Sequence, residues 1–166
     1  VSYNSVNKVR EFMFSDLEKT INLVNTPQVG ASNFLLALGL CCYTEYWGRL
    51  LNGIATRQGK ICFNAFFDRL GPAYVIVRNG ADEIYYNVRC GLAHSYLIEQ
   101  SSVIDMKGGL LCGIEYDNQT ANYSFHIRTY FEDFKKAVNH YIHGLENGTE
   151  NLVLMEQALK NKPELL

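Results

Sequence analysis

The chain has no excess of positive charge. Its 15 Lys and Arg residues stand against 17 Asp and Glu, for a net charge of −2. This argues against a protein that coats DNA without sequence preference; a nucleic-acid ligand would need a local basic patch. The five cysteines (41, 42, 62, 90 and 112) contain no Cys-x2-Cys pair, and their number is odd. That argues against a zinc site and against a disulfide framework, and points to free, mostly buried thiols in a reducing cytosol. No apolar run approaches the roughly twenty residues that a membrane-spanning helix needs. The longest, Phe34 to Tyr43, is broken by Gly39. Internal repeats, low-complexity tracts and long linkers are missing too. No charged-then-apolar targeting segment stands at the start. The chain opens on Val1 rather than Met, as expected of a processed product or a piece of a longer protein.

What is present fits one domain with one core: 166 residues, of which 48% are apolar. Val6, Val9, Met13, Leu17, Ile21 and Val24 recur at spacings of three and four, which predicts a helix over residues 5–25. Pro27 and Gly30 end it. Ser32 is placed to cap a second helix running to about Leu51, with Phe34, Leu35, Leu38, Cys42, Tyr46 and Leu50 on its inner face. Residues 59–72 read as a loop and a short helix, Phe63 to Leu70, closed by Gly71-Pro72. Residues 73–78 fit helix or strand. A further helix is expected over about 82–98, with Asp82 at its start.

Gly108-Gly109 opens a different texture. Residues 110–116 and 122–128 are strand-like around a turn at 117–121. In the second, Tyr123, Phe125 and Ile127 alternate with Ser124, His126 and Arg128, the pattern of a half-buried strand. Thr129-x-x-Glu132 reads as a capping box starting a helix at Tyr130, with Phe131, Phe134, Val138, Tyr141 and Leu145 facing inward. Thr149 caps a last helix through Leu159, and Pro163 bars its continuation. The expected architecture is mainly α: a helical bundle of about five to six helices with a β-hairpin inserted at about 110–128. No strand–helix alternation supports a doubly wound sheet.

The chemistry concentrates in Tyr86-Asn87-Val88-Arg89-Cys90-Gly91-Leu92-Ala93-His94-Ser95-Tyr96. An otherwise apolar segment here carries a permanent cation and a group that titrates near neutrality. Such a pair can bind a phosphate and move a proton beside it. Helical geometry sets a condition: five residues turn a straight helix by about 500°, so Arg89 and His94 point roughly 140° apart. They meet only if the helix distorts, with Gly91 the natural place, or if Arg89 bends along the surface. Otherwise each finds its partner across a dimer interface. The plain structural alternative pairs Arg89 with Asp82 or Glu83 and gives His94 a backbone carbonyl.

The pattern Arg-x4-His-x-Tyr, on Arg89, His94 and Tyr96, resembles the signature of the HEPN superfamily. These are small helical domains, many of them metal-independent ribonucleases of toxin–antitoxin and other defence systems. The resemblance is specific over about eight residues and architectural beyond them. It implies a homodimer whose two motifs face one cleft, RNA as substrate, and no cofactor or metal. It casts Arg89 and His94 as catalytic. Tyr96 becomes an RNA contact or the target of a partner nucleotidyltransferase antitoxin. Asn87 and Arg128 are further candidates for substrate contact. Cys90 stands where the family very often has Asn, so a noncatalytic module binding a nucleotide or a protein remains the alternative. Other features are weaker. His140 and His143 lack a third metal ligand. Trp47 with Tyr43 and Tyr46 reads as packing. Lys135-Lys136 reads as a solvated helix face or as the extension of a phosphate track beside Arg128.

Overall fold

A computed structural model of the protein describes residues 3–24, 32–54, 56–81, 83–95 and 102–161. Helix α1 (Tyr3–Val24) buries Val6, Met13, Leu17 and Ile21, as their spacing predicts. Helix α2 (Asn33–Asn52) ends at Gly53, whose left-handed φ of 69° suits a residue without Cβ. Ser32 does occupy the N-cap position, but its side chain makes no cap bond.

Helix α2 is the centre of the molecule. It packs against α1, α3 (Gly59–Phe67), α6 (Ile127–Asn147) and α7 (Leu152–Asn161). Of its expected inner face, only Leu50 is fully buried. Leu35 is exposed, and Phe34, Leu38, Cys42 and Tyr46 are only half-buried. Leu36, Ala37, Leu40, Cys41, Thr44, Trp47 and Gly48 are buried instead. The reason is steric. Ala37, Cys41, Thr44 and Gly48 form a row of small side chains that lets neighbouring helices come close. At Gly48 the approach is limiting, because a Cβ there would collide with the Cys62 carbonyl of α3. The large aromatic side chains of α2 therefore sit at the margins, apart from Trp47, which packs against Phe66 and Tyr141.

A 3-10 turn (Asp68–Leu70) extends α3 toward α4 (Pro72–Gly80). Residues 73–78 are thus helical, with Pro72 in the first turn, where its missing N–H costs nothing. A π-helical segment (Tyr85–Cys90) then runs directly into α5 (Gly91–Ser95).

The expected hairpin is present as β2 (Ile114–Asp117) antiparallel to β3 (Asn122–His126). A third strand, β1 (Val103–Asp105), was not foreseen; it pairs parallel to β3 and gives the order β1-β3-β2. Two helix starts also differ from expectation. Helix α6 begins at Ile127, not Tyr130. The Thr129 hydroxyl makes no cap and instead accepts the Leu110 N–H across the 108–111 loop. Helix α7 is capped by Asn151, whose side-chain oxygen accepts the N–H groups of Val153 and Leu154, while Thr149 bonds back to Gly144 and Asn147. The inner face of α6 is as expected, with Phe131, Phe134, Val138, Tyr141 and Leu145 all buried. The architecture is mainly α with an inserted β-hairpin. Among the described residues, no helix is long and apolar enough to cross a membrane.

Candidate functional site

The candidate residues sit on a distorted piece of helix. Glu83, in the left-handed region at φ 60°, opens the turn, and its carbonyl accepts the N–H groups of both Tyr86 and Asn87. From Tyr85 to Cys90 the backbone is π-helical, with hydrogen bonds that span one residue more than in an α-helix. The Gly91 N–H reaches back to Tyr86 in this way, and regular α-helix resumes at Gly91. Ile84, Val88 and Leu92 anchor the segment in the core. The distortion therefore lies ahead of Gly91, not at it.

Arg89 leaves this segment toward α2. Its Nε lies 2.7 Å from Oε2 of Glu45, and only 20% of the Arg89 side chain is exposed, against 7% for Glu45. The second carboxylate oxygen, Oε1, accepts from Nη2 of Arg49 at 2.6 Å. Two guanidinium groups thus share one buried carboxylate, which leaves a net charge of +1. The Tyr85 ring lies under the Arg89 guanidinium, 5.8 Å from centroid to carbon. Burial disfavours the Arg89 charge, but Glu45 and neighbouring groups outweigh it and hold the guanidinium pKa above its usual value. Burial, with the Glu45 carboxylate beside it, pushes the Tyr85 phenol up to about 12. No described residue accepts a hydrogen bond from the terminal nitrogens of Arg89.

Of the two expected structural partners of Arg89, the structure describes one. Glu83 pairs with Lys60 of α3, and Asp82 lies outside the described residues. Glu45 was missed because its partners are distant in sequence or on its own helix. The available signal was a Glu and an Arg four apart within an otherwise apolar helix.

His94 sits on α5 and is exposed, as are Ala93 and Ser95 beside it. No described residue binds its ring, so among the described residues no backbone carbonyl takes the place that the structural alternative gives it. Arg89 faces α2 while His94 faces solvent, so the two side chains diverge within one chain. Tyr96 lies outside the described residues. Asn87 is half-buried, and its amide reaches the hydroxyl of the fully buried Tyr123 at 3.3 Å, tying the segment to β3. Arg128, near the start of α6, lines a recess of about 270 Å³ with Glu18, Asn22 and Glu132, none of them from the motif segment. Lys135 and Lys136 pair with Glu132 and Asp133, so the proposed phosphate track is occupied by carboxylates.

One ionisable cluster was not anticipated. His126 was expected on the outer face of its strand and is buried, 3% exposed. Its Nδ1 lies 2.8 Å from Oδ1 of Asp105 on β1, and its Nε2 lies 3.5 Å from Oε2 of Glu115 on β2. Burial alone would raise the Asp105 carboxyl pKa. The His126 contact and the Lys107 N–H overcome that and hold it below the usual value. The sequence could not show this, because alternation along β3 carries no sign that a third strand covers its end.

Searches against protein-family models, curated proteins and solved structures return no match to this chain.

Proposed function

We propose that the protein is a metal-independent endoribonuclease of the HEPN type, acting as a homodimer in the cytoplasm. One observation carries this reading. An exposed histidine stands five residues beyond an arginine that is ion-paired with a buried carboxylate, while no described residue takes a hydrogen bond from its outer nitrogens. A π-helical segment supports it, since such segments occur frequently at functional sites.

The reaction follows from these groups. The ribose 2′-oxygen attacks the adjacent phosphorus and loses its proton to a general base. The bond from phosphorus to the 5′-oxygen breaks, and that oxygen takes a proton from a general acid. The products are a 2′,3′-cyclic phosphate and a free 5′-hydroxyl, with no net proton change. His94 serves as base or acid, and the His94 of a second copy of the chain serves the other role. Arg89 binds the phosphate with its outer donors and stabilises the charge that builds on the phosphorane.

A noncatalytic HEPN-like module is the second reading. It is favoured by Cys90, which removes an amide from beside Arg89. The deciding experiment is incubation of purified protein with total RNA in EDTA, with end-group analysis of any product. Cleavage leaving 2′,3′-cyclic ends supports the ribonuclease. RNA left intact at micromolar protein favours the module. Cleavage that EDTA abolishes overturns the mechanism.

A further inference from the structure

The buried carboxylate on α2 has no obvious reason to be there on grounds of stability. Glu45 sits among Leu40, Cys41, Trp47 and Leu50, all fully buried, and is itself only 6% exposed. Removing a carboxylate and a guanidinium from water is costly, and an apolar contact of the same size often stabilises as well or better. The arrangement is nonetheless specific. Oε1 is engaged by Arg49 on the same helix, which fixes the carboxylate's rotation. Oε2 then faces Nε of Arg89. Room for this is kept at Gly59, where a Cβ would run into the Tyr85 hydroxyl and stand 3.0 Å from Glu45 Oε1. The Tyr85 ring supports the guanidinium from one side.

We infer that Glu45 is a positioning residue for the site. Its ion pair with Arg89 draws the guanidinium against α2, so that the fork of outer nitrogens is left to face a phosphodiester of single-stranded RNA. The inference rests on the ribonuclease reading above. Its physical content is preorganisation. A free arginine side chain visits many rotamers, and a guanidinium held between the Glu45 carboxylate and the Tyr85 ring is confined before substrate arrives. Arg49 supplies the compensating charge. The Glu45–Arg49 pair is neutral, and Arg89 keeps its full positive charge for the phosphate. Glu45 does not touch the reacting atoms.

The test uses the whole chain and a single-stranded RNA oligonucleotide, in two forms. One form is cleavable. The other carries 2′-O-methyl groups and cannot be cut. E45Q keeps the shape of the side chain and removes its charge. Wild type, E45Q, R89A and the double variant are compared for cleavage and for binding of the 2′-O-methyl form by fluorescence anisotropy. E45Q should slow cleavage by about 10²-fold, the effect of a modest misplacement of a catalytic group. In binding, R89A should weaken affinity and lower the salt dependence by about one phosphate contact. E45Q should weaken binding when Arg89 is present and change nothing when Arg89 is absent. A structural role would give equal losses in both backgrounds and would overturn the inference, as would E45Q cutting at the wild-type rate. Wild type that cuts while E45Q matches it removes the role of Glu45 alone. Wild type that neither binds nor cuts removes the ribonuclease reading and this inference with it. Should E45Q fail to fold, wild type labelled with ¹⁵N still decides. Rotation of the Arg89 guanidinium about its Nε–Cζ bond should be slowed before the oligonucleotide is added. A guanidinium that rotates as fast as that of a free arginine overturns the proposal.

Discussion

At His94 and Gly48 the same kind of change, a substitution to alanine, has opposite expected consequences. His94 is exposed and binds no described neighbour. His94→Ala should therefore slow RNA cleavage by about 10²- to 10⁴-fold while moving stability by no more than about 0.5 kcal/mol. Cleavage kinetics and thermal melts on one preparation check both halves, and a variant that cuts as fast as wild type removes His94 from the mechanism. Gly48→Ala lies on the helix that carries Glu45 and Arg49, and its new Cβ meets the Cys62 carbonyl. Helices α2 and α3 would have to separate along their whole contact. A loss of at least about 1–3 kcal/mol is expected, as for other overpacked core positions. A melting temperature equal to wild type would show that the crossing is looser than described. Arg89→Lys belongs at this scale as well. Lysine keeps the charge and lacks both the planar guanidinium that lies between Glu45 and Tyr85 and the fork of outer donors. It should restore little of the cleavage lost in Arg89→Ala.

Among the elements, the π-helical segment and the small sheet show how local sequence is overruled by its neighbours. Arg89 and His94 were expected to meet through a helix distortion, with Gly91 the natural place, through a bent Arg89, or across a dimer interface. The observed distortion is earlier, at residues 85–90, and turns Arg89 inward onto α2. The sheet offers a prediction that does not depend on function. The Asp105 carboxyl pKa is depressed below its ordinary value, ~3.9 in unfolded chains. A depressed carboxylate stabilises the fold above its unfolded pKa, and that contribution fades as pH falls through the folded value. Asp105→Asn should therefore lower the melting temperature at pH 7. The gap to wild type should narrow steadily below pH 4, once the wild-type carboxyl is protonated too. Melting curves from pH 7 to pH 2.5 check this, and a gap independent of pH would mean that the Asp105–His126 contact carries no charge-dependent stability.

For the molecule as a whole, divergence of Arg89 and His94 within one chain makes the ribonuclease proposal a proposal about a pair of chains. Two copies arranged about a two-fold axis would each present an Arg89 and a His94 to one cleft. Inactive Arg89→Ala and inactive His94→Ala proteins, mixed and allowed to exchange subunits, should then recover cleavage. Light scattering at micromolar concentration should give twice the chain mass. A monomer by light scattering, or a mixture as inactive as its components, counts against a shared site.

Much of this protein was legible in its residues in order. The periodicities of α1 and α6 rest on contacts within one helix face, so spacing alone located Met13, Leu17, Phe134 and Tyr141 in the core. The turn residues Gly53 and Gly148 end α2 and α6 for a reason local to their own φ angles. The position of the hairpin, and the concentration of Arg, His and Tyr in one segment, could be read in the same way. Tertiary structure decided the rest, wherever a residue's surroundings come from far along the chain. The buried face of α2 follows from which helices approach its small side chains, not from where its largest apolar ones lie. The third strand exists because residues 103–105 find β3 some twenty positions later, and only that pairing encloses His126. Arg89 lies over Glu45 because two helices distant in sequence pack together, and a charge takes its partner from three-dimensional proximity, which spacing along one helix does not encode.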